Sequence, residues 1–159
     1  MKAAALMRYG SLVLRDLEAP EPDHGRLLVR VRATSVNAVD WYGFSGRPYF
    51  ARPLMGVRRP RDSAIGSDFA GVVAAVGDGT NGFAPGDQVY GCKSGSFAEY
   101  VVAGDAVARK PADISFEEAA AVPVAGLTAL QGLRDHGGVR AGHKVLVNGA
   151  GGGVGTFAV

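Results

Sequence analysis

Apolar and polar positions alternate from Arg26 to Thr34, with Leu27, Val29, Val31 and Ala33 on one side and Leu28, Arg30, Arg32 and Thr34 on the other. A period of two predicts a half-buried strand whose arginines meet solvent. A second strand is expected over Phe69–Val76, between Gly66 and the turn cluster Gly77-Asp78-Gly79. Pro85-Gly86-Asp87 turns the chain into Gln88-Val89-Tyr90, and the runs Phe97–Val102 and Ala106–Ala108 follow after short breaks. Many short strands at close spacing predict a barrel-like or sandwich β domain over roughly the first 110 residues.

The pattern changes after Pro111. Ser115 followed three residues later by Glu118 is a capping-box signature leading into Ala119-Ala120-Ala121. Pro123 interrupts that helix and suits the first turn of another, with Leu127, Leu130 and Leu133 or Arg134 on adjoining turns and Gly137-Gly138 as its stop. The chain then runs through an apolar segment, Lys144-Val145-Leu146-Val147, into a glycine cluster and the start of a helix. This is expected to be a strand, a turn and a helix N-terminus. No literal G-x-G-x-x-G occurs, but Ala150-x-Gly152-x-x-Gly155 does. In such a turn Ala150 still permits a tight bend, Gly152 admits a phosphate close to the backbone, and Gly155 permits close helix packing. A plain strand-to-helix turn remains the alternative. The residue about 20 positions further on that separates NAD from NADP recognition lies beyond Val159.

Composition narrows the chemistry. A chain of 159 residues is long enough for one domain with a core, and a formal charge of +2 gives no sign of a nucleic-acid or membrane surface. Cys92 is the single cysteine, so neither an intramolecular disulfide nor a four-cysteine zinc site is available, and His24, His136 and His143 are isolated from it in sequence. Cys92 therefore reads as a small packed residue. The N-terminus is too short in its apolar part for a signal peptide, and nothing approaches the roughly 18 apolar residues of a membrane span, so a cytoplasmic location is expected. The segment from Pro53 to Arg61 carries Arg58, Arg59 and Arg61; it reads as a solvated surface loop, with an anion-binding lid or a partner contact as the functional alternative.

Several segments, in order and spacing, resemble the N-terminal part of the medium-chain dehydrogenase/reductase superfamily, in its zinc-independent quinone oxidoreductase or zeta-crystallin-like branch. They are Ser35–Asp40, Gly66–Gly77, Pro85–Val89, Gly95–Tyr100, Ala119–Leu130 and the closing glycine turn. The resemblance implies a mainly β fold with short helices (α+β). A GroES-like β-barrel catalytic domain over 1–122 would precede a bridging helix and the first strand and turn of a Rossmann domain over 123–159. Zinc-dependent relatives would carry a cysteine near Asn37 and a histidine-glutamate pair near Ser67-Asp68; neither cysteine nor histidine stands there, so no metal is expected.

The implied activity of a longer parent is metal-free hydride transfer from NADPH or NADH, NADPH being favoured by the resemblance, to a quinone, enone or related carbonyl. Without a Lewis acid the carbonyl must be polarised by hydrogen-bond donors. Tyr42, Tyr49 and the Asn37 amide are the catalytic candidates. The family pattern sets Asn37, Tyr42 and Thr128 near the nicotinamide, Tyr49 matching more loosely, and gives Ala150, Gly152, Gly153, Val154 and Gly155 to the pyrophosphate. Asn37 and Asp40 could equally cap a short helix, and Tyr42 could be a core aromatic. The 159 residues alone are expected to be inactive and to hold NADPH weakly at best. A homo-oligomer is expected, with no nucleic-acid or membrane partner. The alternative is a non-enzymatic GroES-like scaffold that self-associates through the apolar segment Val145-Leu146-Val147.

Overall fold

A computed structural model describes residues 1–61 and 63–159. Strands β1 (Lys2–Arg8) and β2 (Ser11–Asp16) form an antiparallel hairpin, and β3 (Leu27–Ala33), β4 (Asp68–Val76), β5 (Gln88–Cys92), β6 (Tyr100–Ala103) and β7 (Val107–Arg109) form one sheet in the order β6-β3-β4-β5-β7. Every neighbouring pair in that sheet is antiparallel. Isolated bridges from Ala3 to Ala98 and from Ala5 to Ala64 tie the hairpin to the sheet's connections. This is the mainly β, short-helix architecture expected of a GroES-like domain.

The alternation predicted in β3 governs the core. Leu27 and Val29 are buried and join Phe69, Val73, Val89, Val101 and Ala103 in one cluster, while Arg30 and Arg32 are exposed. On the opposite face of β4, Ala70 packs with Ala119 and Ala120 of helix α3 (Phe116–Ala120). The strand is thus covered on both faces over its first half, which is why Asp68, Phe69, Ala70 and Gly71 are all buried. Gly71 is required by proximity: a Cβ there would lie 2.1 Å from the carbonyl oxygen of Arg30 on β3.

Helix α1 (Ala38–Ser45) begins where Asp40 Oδ2 accepts from the Asn37 backbone N–H at 2.7 Å, so the capping alternative for this pair is realised. At its other end Gly46 adopts a left-handed φ of 62° with the Tyr9 ring against it; a Cβ would meet that ring at 2.5 Å. Arg52, which opens the single turn α2 (Arg52–Met55), lies between the rings of Tyr9 and Tyr49, 4.6 and 4.7 Å from their centroids, and its Nε donates to the Gly46 carbonyl at 3.0 Å. The Arg58 and Arg59 side chains that follow are exposed.

The capping box forms as the sequence predicts, with Glu118 N–H donating to Ser115 Oγ at 3.1 Å and Ser115 N–H to Glu118 Oε2 at 2.7 Å. Helix α4 (Pro123–Leu130) starts with Pro123 and runs into a wider helical turn over Gln131–His136 that ends at Gly137 and Gly138. One expectation is corrected. Lys144–Val147 is not a strand: no ladder partner lies beside it among the described residues, and Leu146 is 93% exposed. A strand exists only as half of a pair, so apolar β-branched residues cannot make one alone. The glycine turn and helix α5 (Gly153–Ala158) do form.

Burial separates two phenylalanines of equal size. Phe69→Ala is expected to cost about 3–5 kcal/mol, whereas Phe50→Ala, at a site 85% exposed, is expected to change stability by less than about 0.5 kcal/mol. Urea denaturation of both variants checks the assignment of the core.

Candidate functional site

The first residue of β4, Asp68, is fully buried, and no cation pairs with its carboxylate among the described residues. Its charge is held by hydrogen bonds alone. Oδ2 accepts from Ser35 Oγ at 3.1 Å and from Asn37 Nδ2 at 2.9 Å, and Oδ1 accepts from the Val124 backbone N–H at 3.0 Å. Val124 is in the first turn of α4, where N–H groups have no partner within the helix and the dipole favours an anion. One carboxylate therefore ties the β3–α1 connection and the start of α4 to the central strand. Thr34 Oγ1 adds a 2.6 Å bond to the Asp68 carbonyl from the same connection.

A second buried carboxylate, Asp40, lies beside this network. Ser67 Oγ donates to Asp40 Oδ1 at 2.6 Å, and the Asn37 backbone occupies Oδ2. Desolvation raises the Asp68 pKa above the ordinary aspartate value; bonds from Asn37, Ser35 and Val124 pull it down, and the Asp40 charge adds to the rise. The Cys92 thiol, half-buried, is also pushed up, by burial first and then by the Asp68 charge. Cys92 is thereby held as a protonated thiol, the poor-nucleophile state.

Above these groups opens a cleft of about 490 Å³. Val39, Asp40 and Gly43 of α1 form one side, Ala64–Ser67 the floor, Cys92–Ser94 the opposite rim and Val124 of α4 the end. The wall next to Gly43, Ala64 and Ile65 continues into a smaller hollow bordered by Leu54, Met55 and Arg61. The cleft thus sits where β4 begins and β5 ends and where α1 and α4 begin, a place set by the Asp68 contacts.

The residues singled out in the sequence are not all brought together. Asn37 is at the site, but both of its amide N–H groups are engaged, by Asp68 and by Ser35 at 3.2 Å. Tyr42 is half-exposed on α1 and does not line the cleft, and Tyr49 stacks on Arg52 away from it. Thr128 lies one turn along α4 from Val124, with Oγ1 donating to the Val124 carbonyl at 2.6 Å. Ala150, Gly152, Gly153, Val154 and Gly155 lie together at the turn into α5, which packs on α4: a Cβ on Gly153 would lie 3.8 Å from Ala125, and one on Gly126 would lie 3.7 Å from the Phe157 ring. Gly155 is demanded by space, since its Cβ would come within 2.1 Å of the Gly149 carbonyl. The left-handed residue of the turn is Gly149, with φ of 80°, so Ala150 fits without strain.

Asp68, Ser35, Ser67, Asp40 and the Cys92–Ser94 rim were not among the sequence candidates. The available signal was Ser67-Asp68 at the head of an otherwise apolar strand, a place where a carboxylate must find donors or be costly. Among the described residues no group of three or more His, Cys, Asp and Glu side chains is placed to hold a metal ion, and no helix is long and apolar enough to cross a membrane.

Comparison with known proteins places this geometry. Residues 23–128 match the family described as Alcohol dehydrogenase GroES-like domain. The chain is 38% identical to quinone oxidoreductase of Homo sapiens over 99% of its own length and 48% of that protein's. It superposes on an alcohol dehydrogenase superfamily protein from Novosphingobium aromaticivorans with a TM-score of 0.89 at 35% identity, covering 99% of this chain and 48% of that one. It also matches mycobacterial Rv1454c complexed with NADPH, with a TM-score of 0.85 at 33% identity and the same shares of 99% and 48%. The chain spans about half the length of the relatives it matches.

Asp68→Asn keeps the shape but puts an NH2 group, which cannot accept, where a carboxyl oxygen faces a donor, so a loss of about 1–3 kcal/mol is expected. Because the folded pKa is raised, Asp68's proton-linked stability is fully present below the ordinary aspartate value of about 3.8 and is lost as pH rises through the folded value. The stability gap between wild type and the variant should therefore narrow as pH rises across that window. Urea denaturation of both proteins at stepped pH checks this; a gap that widens with pH contradicts it.

Proposed function

This chain belongs to the alcohol dehydrogenase GroES-like family, in the quinone oxidoreductase-like branch of the medium-chain dehydrogenase/reductase superfamily, and we propose that it forms the substrate-side part of an NAD(P)H-dependent reductase. The substrate class proposed is a quinone, an enone or a related carbonyl. The boundary is placed after residue 122, with 1–122 as catalytic domain and 123–159 as bridging helix and the beginning of the cofactor side. The observation that carries this reading is the continuity from cleft to glycine turn. Val124 both ends the cleft and binds Asp68, and the helix in whose first turn it lies carries Thr128 and the docked turn at Gly152–Gly155.

The glycine turn suits the pyrophosphate of a dinucleotide. Gly152 is the N-cap of α5, and the first-turn amides of Gly153 and Val154 have no partner inside the helix, as anion binding requires. When bound, a reduced nicotinamide would supply the hydride. Asn37, with its amide spent on Asp68 and Ser35, acts in this reading by holding the β3–α1 connection at the cleft, and Thr128 marks the path toward the turn. Tyr42 remains a donor candidate from the rim of α1, and Tyr49 contributes by fixing Arg52. No metal step is invoked, because cysteine and histidine are missing from the positions near Asn37 and Ser67 where zinc-dependent relatives would carry them.

That relatives such as the Homo sapiens protein are quinone oxidoreductases supports the substrate class, and the NADPH complex of a relative supports a reduced nicotinamide dinucleotide as cofactor. A second reading has its own observation: Val145 and Leu146 are exposed on a backbone without ladder partners. An apolar unpaired segment is a template for pairing, so a non-enzymatic module that self-associates there, as a homo-oligomer, is the alternative.

The native protein carrying this sequence is expected to oxidise NADPH in the presence of 1,4-benzoquinone or a simple enone, more slowly with NADH, and with no loss on adding a chelator. Inhibition by the chelator removes the metal-free mechanism. No turnover with any acceptor, together with dimers or larger species in sedimentation that are lost on Leu146→Lys, favours the self-associating module.

A further inference from the structure

The cleft contains few groups able to stabilise a negative oxygen, and most of them are already committed. Of its lining side chains with N–H, O–H or S–H groups, Ser67 donates to Asp40 and Cys92 is a weak thiol donor. Asn37, just behind, has both amide hydrogens engaged. What remains is Lys93 and Ser94, whose side chains have no hydrogen-bond or ion-pair partner among the described residues.

Lys93 is also mounted firmly. Its backbone N–H donates to the Ser67 carbonyl at 2.6 Å, and Gly95 N–H donates to the Gly66 carbonyl at 3.0 Å, so the rim segment is bonded at both ends to the cleft floor. Gly95 carries φ of +95° at the bend between rim and floor. The side chain itself is exposed, but its root is fixed at the mouth of the cleft. Among the described residues Lys93 is the single cationic residue lining the cleft, and the one carboxylate there, Asp40, is already occupied by two donors.

Resting on the reductase reading above, we propose that Lys93 is the specificity-determining cation of the cleft, receiving the negative charge that develops on the substrate's carbonyl oxygen, with Ser94 as a second donor. In the reaction a C–H bond forms at the acceptor carbon from the incoming hydride. The π pair of the acceptor moves onto oxygen, and that oxygen, held by the Lys93 ammonium, takes a proton from water. The acceptor gains two electrons and the nicotinamide loses them. Acceptors that are reduced through a delocalised oxyanion, quinones and enones, gain most from such a cation.

The test separates this proposal from the reductase reading because it needs neither cofactor nor turnover. 4-Nitrophenolate at pH 8 mimics the oxyanion, and 4-nitroanisole is its neutral counterpart. Titration of the full chain followed by NMR is expected to shift the amides of Ser67, Cys92, Lys93 and Val124 with the phenolate. Lys93→Met should weaken the phenolate about fivefold, the size of a solvent-accessible charge pair. Lys93→Arg should restore it, and nitroanisole should change less than about twofold with either variant. The proposal is overturned if Lys93→Met leaves phenolate affinity within about twofold, if it weakens both ligands alike, or if the shifts map away from the cleft.

Discussion

A carboxylate buried without a cation is the constraint around which this fold is arranged. Asp68 lies at the head of the central strand, out of contact with water, and an ionised group there is tolerated only if its oxygens are saturated by donors. Three donors answer, from Ser35, Asn37 and Val124. They come from two separate stretches of chain, so satisfying one charge fixes the relative positions of the β3–α1 connection, the sheet and the first turn of α4. The cleft lies directly over that junction.

The consequence for function is a division of labour between rigid floor and available rim. Side chains able to donate hydrogen bonds, Asn37 and Ser67 in particular, are spent on holding the two carboxylates. Tyr49 is likewise spent, stacked on Arg52 where it and Tyr9 anchor the segment beyond α1. What faces the cleft with capacity to spare is the short rim Cys92–Ser94, bonded to the floor through its backbone. A site built in this way places its reactive contacts on a backbone that two buried acids have already made rigid.

The fold was largely legible in the chain because its signals were local. The alternation over Arg26–Thr34, the capping box at Ser115 and Glu118 and the stop at Gly137-Gly138 are each decided by neighbours within a few residues, and the structure reproduces them. The segment Lys144–Val147 failed for the complementary reason: its side chains suit a strand, but strand formation is a property of a pair. The site was half legible. The Asn37–Asp40 cap and the glycine turn follow from spacing, whereas the role of Asp68 depends on Val124, 56 residues away. No periodicity encodes that contact. Likewise, nothing local tells Tyr49, which stacks on an arginine, from a tyrosine that lines a cleft.

The central claim is that Asp68 clamps α4 and the β3–α1 connection through one ionised side chain. The most direct measurement is an NMR pH titration of the Val124 backbone amide and the Asn37 side-chain amide. The account predicts that both shift together with one midpoint, above the ordinary aspartate value, because they report the same carboxylate. Separate midpoints, a midpoint below that value, or a Val124 amide that does not respond would contradict it.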